Sequence, residues 1–455
     1  ASILDKKLEF LPLKSAAHIV RGNALRLDWN EVVRGGVDYI ISNPPFSGAR
    51  LMSTQNKADL LAVFDGWKNA GNLDFVACWF KKAAQFMLDT QARAALVATN
   101  SIVQGESVGT LWSKLLEIVH IDFARRTFKW ISDSDDMAAV HCVIVGFSAA
   151  PNPKPRIIFD GEEKSVAKNI NAYLLDAPNF SVESRSKPLC NVPTIGIGNQ
   201  PIDGGNYLFK PDEMDDFIRR EPRAKKYFRP WFGAEEFING KRRYCLWLGE
   251  AAAEEIASMP LVAARVEAVR QYRLSSRRKS TIKLADRPTH FQTENMPRGN
   301  FIVIPEITSG ERRYIPIGFM TPDVLCSNRL KLMPDADLFH FGVLTSSTHM
   351  AWMRVVCGRL GTGYDYSAFI VYNNFPWCPP SPAIECTAQS ILDVRSRYPE
   401  RSLASLYDET TMPDDLRAAH SANDRAVLSA YGFDESLSED AIVARLMQMY
   451  SALTH

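Results

Sequence analysis

The most restrictive feature of this chain is a β-rich apolar run, VDYIIS at 37–42, cut off by Asn43-Pro44-Pro45-Phe46. Apolar runs of this length, closed by a turn signal, suit a strand buried in a parallel sheet. Two prolines fix their own φ and restrict the residue before them, so Asn43 and the Pro44 carbonyl are pre-positioned. They sit at the end of a strand, which is where open α/β sheets place their ligands. A plain turn explains two prolines, but not the strand before them and the aromatic ring after them.

The flanking pattern is that of an α/β domain. Further strands are expected at 18–25 (HIVRGNAL), 93–99 (RAALVAT), 119–124 (VHIDFA) and 138–147 (AAVHCVIVGF), with helices at 73–89 and 108–118. In the first helix Phe75, Val76, Trp79, Phe80, Ala83, Phe86 and Met87 recur at helical spacing. Strands alternating with helices predict a doubly wound α/β sheet. The pattern changes at APNPKP (150–155), a connector, and again at YNNFPWCPP (372–380), a second boundary. Between them lie turns over 188–206 and then mixed strands and helices rich in aromatics. Beyond them, helices are expected at 384–397, 413–431 and 438–453. The expected division is 1–160, an α/β catalytic domain, 161–380, a mixed α+β domain, and 381–455, a helical region.

The Asn-Pro-Pro-Phe motif suits one kind of chemistry. An exocyclic adenine amine is a poor nucleophile because its lone pair is delocalised into the ring. Two acceptors that bind both amine hydrogens localise that lone pair and aim it at a sulfonium methyl. The Asn43 side-chain oxygen and the Pro44 carbonyl can do so together, with Pro45 stiffening the turn. Phe46 then offers a π-face to a base removed from its duplex.

Composition narrows the partner. The chain of 455 residues has a net charge of +1, so any contact with nucleic acid must come from local basic patches. Residues 262–287 supply Arg265, Arg270, Arg273, Arg277, Arg278 and Lys279, able to neutralise phosphates along one groove. Arg312, Arg313, Asn328, Arg329 and Lys331 sit in strand and loop contexts suited to guanine and adenine edges or to phosphates. The eight cysteines never fall at Cys-x-x-Cys spacing and the histidines lack metal spacing, so neither a zinc site nor a disulfide framework is expected. No run of 18 apolar residues occurs, and a cytoplasmic protein is expected.

Over nearly its whole length the chain resembles the methyltransferase-plus-specificity portion of MmeI-type (type IIL) restriction–modification enzymes. The resemblance lies in GNALRLDW (22–29), ISNPPFSGARLM (41–52), LDFVACWFKKA (73–83), ATNSIVQGE (98–106), RRTFKW (125–130) and AAVHCVIVGF (138–147). It continues in DGGNYL (203–208), YCLWL (244–248), ERRYIPIGF (311–319), FGVLTSSTHMAWMRVVCGRL (341–360) and YNNFPW (372–377). It implies a partial class I (Rossmann-like) methyltransferase sheet, a target-recognition domain and a helical C-terminal region. It also implies transfer of a methyl group from S-adenosylmethionine to adenine N6 in duplex DNA. Asn43, Pro44, Pro45 and Phe46 would then be catalytic, and Asn23, Asp74 and Phe75 would bind the cofactor. Asn23 stands where such enzymes often hold an acid. Phe128 or Trp130 would supply the second face of the target-base sandwich, with Asn100 near the same crevice. Gly358-Arg359 and Tyr364-Asp365-Tyr366-Ser367 also match the family.

Such enzymes carry a Gly-rich cofactor loop and an acidic ribose-binding residue upstream of the Asn-Pro-Pro motif, and no such loop occurs here before residue 43. No Asp…Glu-x-Lys nuclease site is recognisable either. An N-terminally truncated enzyme is therefore expected, whose cofactor pocket an upstream segment or subunit completes. Two alternatives stand beside it: a DNA-binding specificity module without catalysis, and the same chemistry directed at RNA or a protein glutamine.

Overall fold

The computed structural model describes residues 18–33, 36–130 and 140–454. Six strands make the first sheet: β1 (Tyr39–Ser42), β2 (Arg93–Thr99), β3 (His120–Trp130), β4 (Val140–Ser148), β5 (Arg156–Asp160) and β6 (Glu163–Ala167). Their spatial order is β1-β2-β4-β3-β5-β6. β1 is parallel to β2 and β3 to β5, but β4 lies antiparallel between β2 and β3. The sheet is therefore mixed. An antiparallel neighbour needs no helical crossover, so the β3–β4 pairing makes no demand for one.

Helices cover one face. Phe80, from helix Ala77–Phe86, stacks on Phe147 of β4 at 5.5 Å and meets Trp112, from helix Glu106–Leu115, edge-on at 5.7 Å. The row beneath them is Ile40, Ala94, Phe147 and Ile121. The opposite face carries the cross-strand row Ile41, Ala95, Gly146, Phe123 and Ile157. That row lines an open apolar groove of about 630 Å³. Gly146 is required there, because a Cβ would fall 2.0 Å from the Phe123 ring. Ile41 stays 80% exposed and Tyr39 68%, so the doubly wound expectation is met on one face only among the described residues.

Two local expectations change. Residues 18–25 form no strand; the Asn23 side-chain oxygen accepts from Leu25 N at 3.0 Å and turns the chain. β3 runs on to Trp130, past the expected 119–124, absorbing irregularities between Ile121 and Phe123 and between Arg125 and Phe128.

The next region is built of short strands in three sheets. The first joins β14 (Leu325–Cys326), β9 (Phe228–Phe232), β10 (Tyr244–Leu246) and β8 (Leu208–Phe209) in that order. The second joins β13 (Gly318–Met320), β11 (Phe301–Pro305), β15 (Leu330–Pro334) and β7 (Gly196–Ile197). The third joins β12 (Ile307–Thr308), β17 (Gly363–Asp365) and β16 (Gly358–Leu360). Helices Pro382–Ser396, Asp414–Tyr431 and Glu439–Thr454 follow, close to their expected spans. The first two pack back on helix Leu338–Leu344, where a Cβ on Gly342 would lie 2.6 Å from Ile384 Cγ2, and the third packs on helix Ser347–Val356.

YNNFPWCPP is no slack linker. Asn374 is fully buried and its amide nitrogen donates to the carbonyls of Glu183, Phe369 and Ile370, while Asn373 donates to Arg185 O. One core cluster runs from Leu25 to Tyr450 and so joins the first sheet to the last helix. Among the described residues no helix is long and apolar enough to cross a membrane.

Candidate active site

Strand register sets the site. Ser42 pairs with Leu96, Thr99 with Cys142 and Trp130 with Val140. The carboxyl ends of β1, β2 and β3 and the start of β4 therefore share one edge of the sheet. At that edge Asn43 and Pro45 are exposed, Pro44 is buried and Phe46 is half-buried. Asn43 thus stands free to accept from a ligand, while its prolines anchor the turn.

Asp74 fastens this loop from behind. One of its carboxylate oxygens accepts from Ser47 N and Val76 N, each at 3.1 Å, and the other from Thr99 Oγ1 at 3.0 Å. Phe75 N donates back to Ser47 O at 3.0 Å. Phe75 itself is buried, edge-on to Trp79 at 5.2 Å. Asn23 is similarly occupied, since its amide nitrogen donates to Asp59 at 2.8 Å and its oxygen takes Leu25 N. Burial by itself would raise the Asp59 carboxyl; hydrogen bonds from Arg26 and Asn23, with the charge of Arg26, outweigh it and hold the group below its ordinary value. The polar atoms of Asn23 and Asp74 are consumed within the protein, and Phe75 offers a buried ring.

Phe128 is half-buried and Trp130 is 38% exposed, their rings 6.2 Å apart and tilted by 45°. Both stand on the edge that carries Asn43. Between the Asn-Pro-Pro-Phe loop and the β16–β17 turn lies a pocket of about 310 Å³, lined by Gly48, Ala49, Thr99, Asn100, His141, Arg359 and others.

The basic residues fall into distinct environments. Arg270, Arg277, Arg278 and Lys279 are exposed, as a phosphate-facing surface requires. Arg273 is not available to DNA. It is fully buried, and its guanidinium donates to the carbonyls of Pro201, Ile202, Leu284, Arg287 and His290. It falls on the inner face of helix Pro260–Leu274 with Val262 and Val269. Arg313 is exposed, Arg312 is half-buried and donates to Thr308 Oγ1, and Asn328 is half-buried.

Arg329 and Lys331 converge on Glu306, at 2.9 and 2.7 Å. Burial pushes the Glu306 carboxyl up, but these two cations outweigh it and hold it below the ordinary range. Nearby, burial and then the charge of Glu306 push the Asp365 carboxyl up. Glu306, Lys331 and Asp365 share a cleft of about 580 Å³ with Arg50, which follows the Asn-Pro-Pro-Phe loop. Sequence reasoning missed Glu306 and Arg50. Only the pairing of β12 with β17 and the fold of the loop bring them together, and no spacing signals that.

Comparison with known proteins follows the same division. Models of the MmeI family match in succession: the DNA-methyltransferase domain over residues 2–160, the target recognition domain over 176–379 and the C-terminal domain over 380–455. DNA methyltransferase A of Bacillus subtilis (strain 168) is 38% identical over 452 residues, which is 98% of this chain and 51% of that protein. A solved structure of the type IIL restriction–modification enzyme MmeI in complex with DNA matches with a TM-score of 0.89 and 44% identity. That match covers 97% of this chain and 61% of the other. The chain thus spans about half the length of the curated relative it matches. With its methyltransferase, target recognition and C-terminal domains in that order, the chain belongs to the MmeI family of type IIL restriction–modification enzymes.

Proposed function

We propose that this chain is the catalytic and target-reading part of a restriction–modification enzyme that methylates adenine N6 in duplex DNA, with S-adenosylmethionine as donor. The observation that carries the reading is the exposed Asn43, set by two prolines at the carboxyl edge of the sheet, next to the strand ends that also carry Phe128 and Trp130. Asn43 Oδ1 and the Pro44 carbonyl accept the two amine hydrogens of an everted adenine, and Phe46 stacks on the base. Phe128 or Trp130 closes the other side. Arg277, Arg278 and Lys279 contact phosphates, and Arg329 with Glu306 and Lys331 forms a polar wall suited to base edges.

The donor supplies an electrophilic methyl when bound. The described residues do not compose a cradle for it by themselves: Asn23 and Asp74 have their polar atoms filled, and β1 is an edge strand with exposed Tyr39 and Ile41. Asn23, Asp74 and Phe75 act on the proposed reading by shaping the loop behind it. On this reading a further segment or a subunit would complete the pocket.

In the full-length protein, Asn43→Ala should abolish N6-methyladenine while specific DNA binding persists. Undiminished methylation by that variant overturns the assignment. The same filled polar atoms favour a second reading, in which this chain alone recognises DNA without catalysis. Calorimetric titration of the isolated chain with S-adenosylmethionine separates the two, since tight binding excludes the second.

A further inference from the structure

We propose that the pocket between the catalytic loop and the β16–β17 turn binds a backbone phosphodiester of the everted nucleotide, through Arg359 and Asn100. This rests on the base-eversion reading above and adds to it the path of the sugar–phosphate chain.

Position comes first. The pocket floor is the end of β2 and the start of β4, one wall is Gly48–Ala49 just past Phe46, and the other is Arg359 with Gly361. A nucleotide that leaves a duplex held by the recognition domain and brings its base to Asn43 must carry its backbone through this gap. The width of the gap is fixed. Gly105 N donates to Val356 O at 3.1 Å, and a Cβ on Gly105 (φ 58°) would lie 3.2 Å from Gly358 Cα. Arg359 is therefore one residue from a backbone-to-backbone contact between the two domains.

The chemistry of the lining is that of an anion site. Arg359 lies over the Tyr364 ring at 4.2 Å and donates to its hydroxyl at 3.1 Å, but its Nε is buried with no acceptor among the described residues. Asn100 is 8% exposed, and its Nδ2 is likewise buried without an acceptor. Buried donors without partners are rare and destabilising, so two on one pocket call for a ligand rich in acceptors. A phosphodiester is acceptor-only and negatively charged, which suits a guanidinium and an amide N–H. Asp74, the one acid in the lining, has both oxygens engaged by Ser47, Val76 and Thr99. A base edge would present donors as well, for which the unpaired groups here are no match.

The test uses the full-length protein and a duplex bearing the site it methylates, with 2-aminopurine at the target adenine and single methylphosphonates at flanking positions. We expect one methylphosphonate to weaken binding of the everted state by about ten- to a hundredfold, the worth of a hydrogen bond to a charged group. Arg359→Ala should lose the same amount and become insensitive to that one substitution. Arg359→Lys should regain part of the binding, which a misfolded variant would not. Lys279→Ala, outside the pocket, should stay sensitive. If Arg359→Ala and Asn100→Ala respond to every methylphosphonate as the native protein does, the proposal falls. It also falls if they change base preference instead, for then the pocket takes a base. Absence of any methylated site or 2-aminopurine signal in the native protein would instead refute the methylation reading beneath it.

Discussion

At the scale of single residues, Asp74 collects two backbone N–H groups and a hydroxyl, and so ties the Ser47 end of the Asn-Pro-Pro-Phe loop to β2 and to the start of helix Ala77–Phe86. Asp74→Asn keeps the shape but puts a donor where an acceptor is needed. We expect single-turnover methylation by the full-length variant to fall by roughly a hundredfold, as small misplacements of reacting groups do, with DNA affinity unchanged. An unaltered rate would show that the loop holds itself. Arg273→Ala should behave in the opposite way. It strands five carbonyls in the interior, so urea titration should show a loss of about 3 kcal/mol or more, while the folded fraction binds DNA normally. Arg277→Ala and Lys279→Ala should each lower the salt dependence of DNA affinity by about one unit of slope, without affecting stability. The difference between these arginines was legible in part: positions 262, 269 and 273 fall on one helical face, which marks Arg273 as inward. What cannot be read from spacing is that a buried cation would find five carbonyl acceptors rather than a carboxylate.

At the scale of elements, helix Asp414–Tyr431 braces the segment that carries Arg312 and Arg313. Its Asp424 accepts from Tyr314 Oη and from Ser347 N, both at 2.7 Å, and its His420 stacks on the Tyr314 ring at 4.2 Å. Tyr314→Phe leaves the stack and removes one bond. The expected result is weaker discrimination between cognate and single-mismatch duplexes, measured by competition binding, with the fold intact. The buried histidines make the fold acid-sensitive. Burial pushes His349 down to about 3, and burial, then Arg395 and Arg313, push His420 well down. Each imidazole is neutral when folded and titrates near 6.5 when unfolded. Their contribution to stability is therefore full above pH 6.5 and is lost as pH falls below it, by about 1.4 kcal/mol per pH unit for each, down to about pH 3 for His349. Urea midpoints at pH 7, 6 and 5 should trace this slope, and His349→Gln should reduce it. Long helices such as 414–431 were legible because apolar periodicity over many residues leaves little choice. The two- to five-residue strands of the recognition domain were not, because so short a run fits helix, strand or loop equally well. Nor was the antiparallel place of β4, since a buried strand reads the same in either direction.

At the scale of the whole molecule, the first sheet has one face under helices and one face open along Ile41, Phe123 and Ile157. A groove of about 630 Å³ with Ile41 80% exposed is a surface that binds apolar partners. Expressed alone, the chain should bind a hydrophobic dye and self-associate, and Ile41→Lys should reduce both in light scattering. The same substitution in the full-length protein should instead destabilise it, if upstream sequence covers this face; equal solubility of chain and variant would argue that the groove stays wet. The catalytic and recognition domains meet at Gly105 and Gly358, where two backbones approach with no side chain between them. That contact has a consequence for how such a protein can vary. If the side chains around Glu306, Arg329 and Lys331 read the target, as proposed above, they can be exchanged and the target sequence altered while their distance to Asn43 stays the same. A bulkier residue at Gly105 would press on the Gly358 backbone and change that distance for every target at once. On that reading inheritance can rewrite the address freely, so long as it leaves untouched one residue that has no side chain with which to read a base.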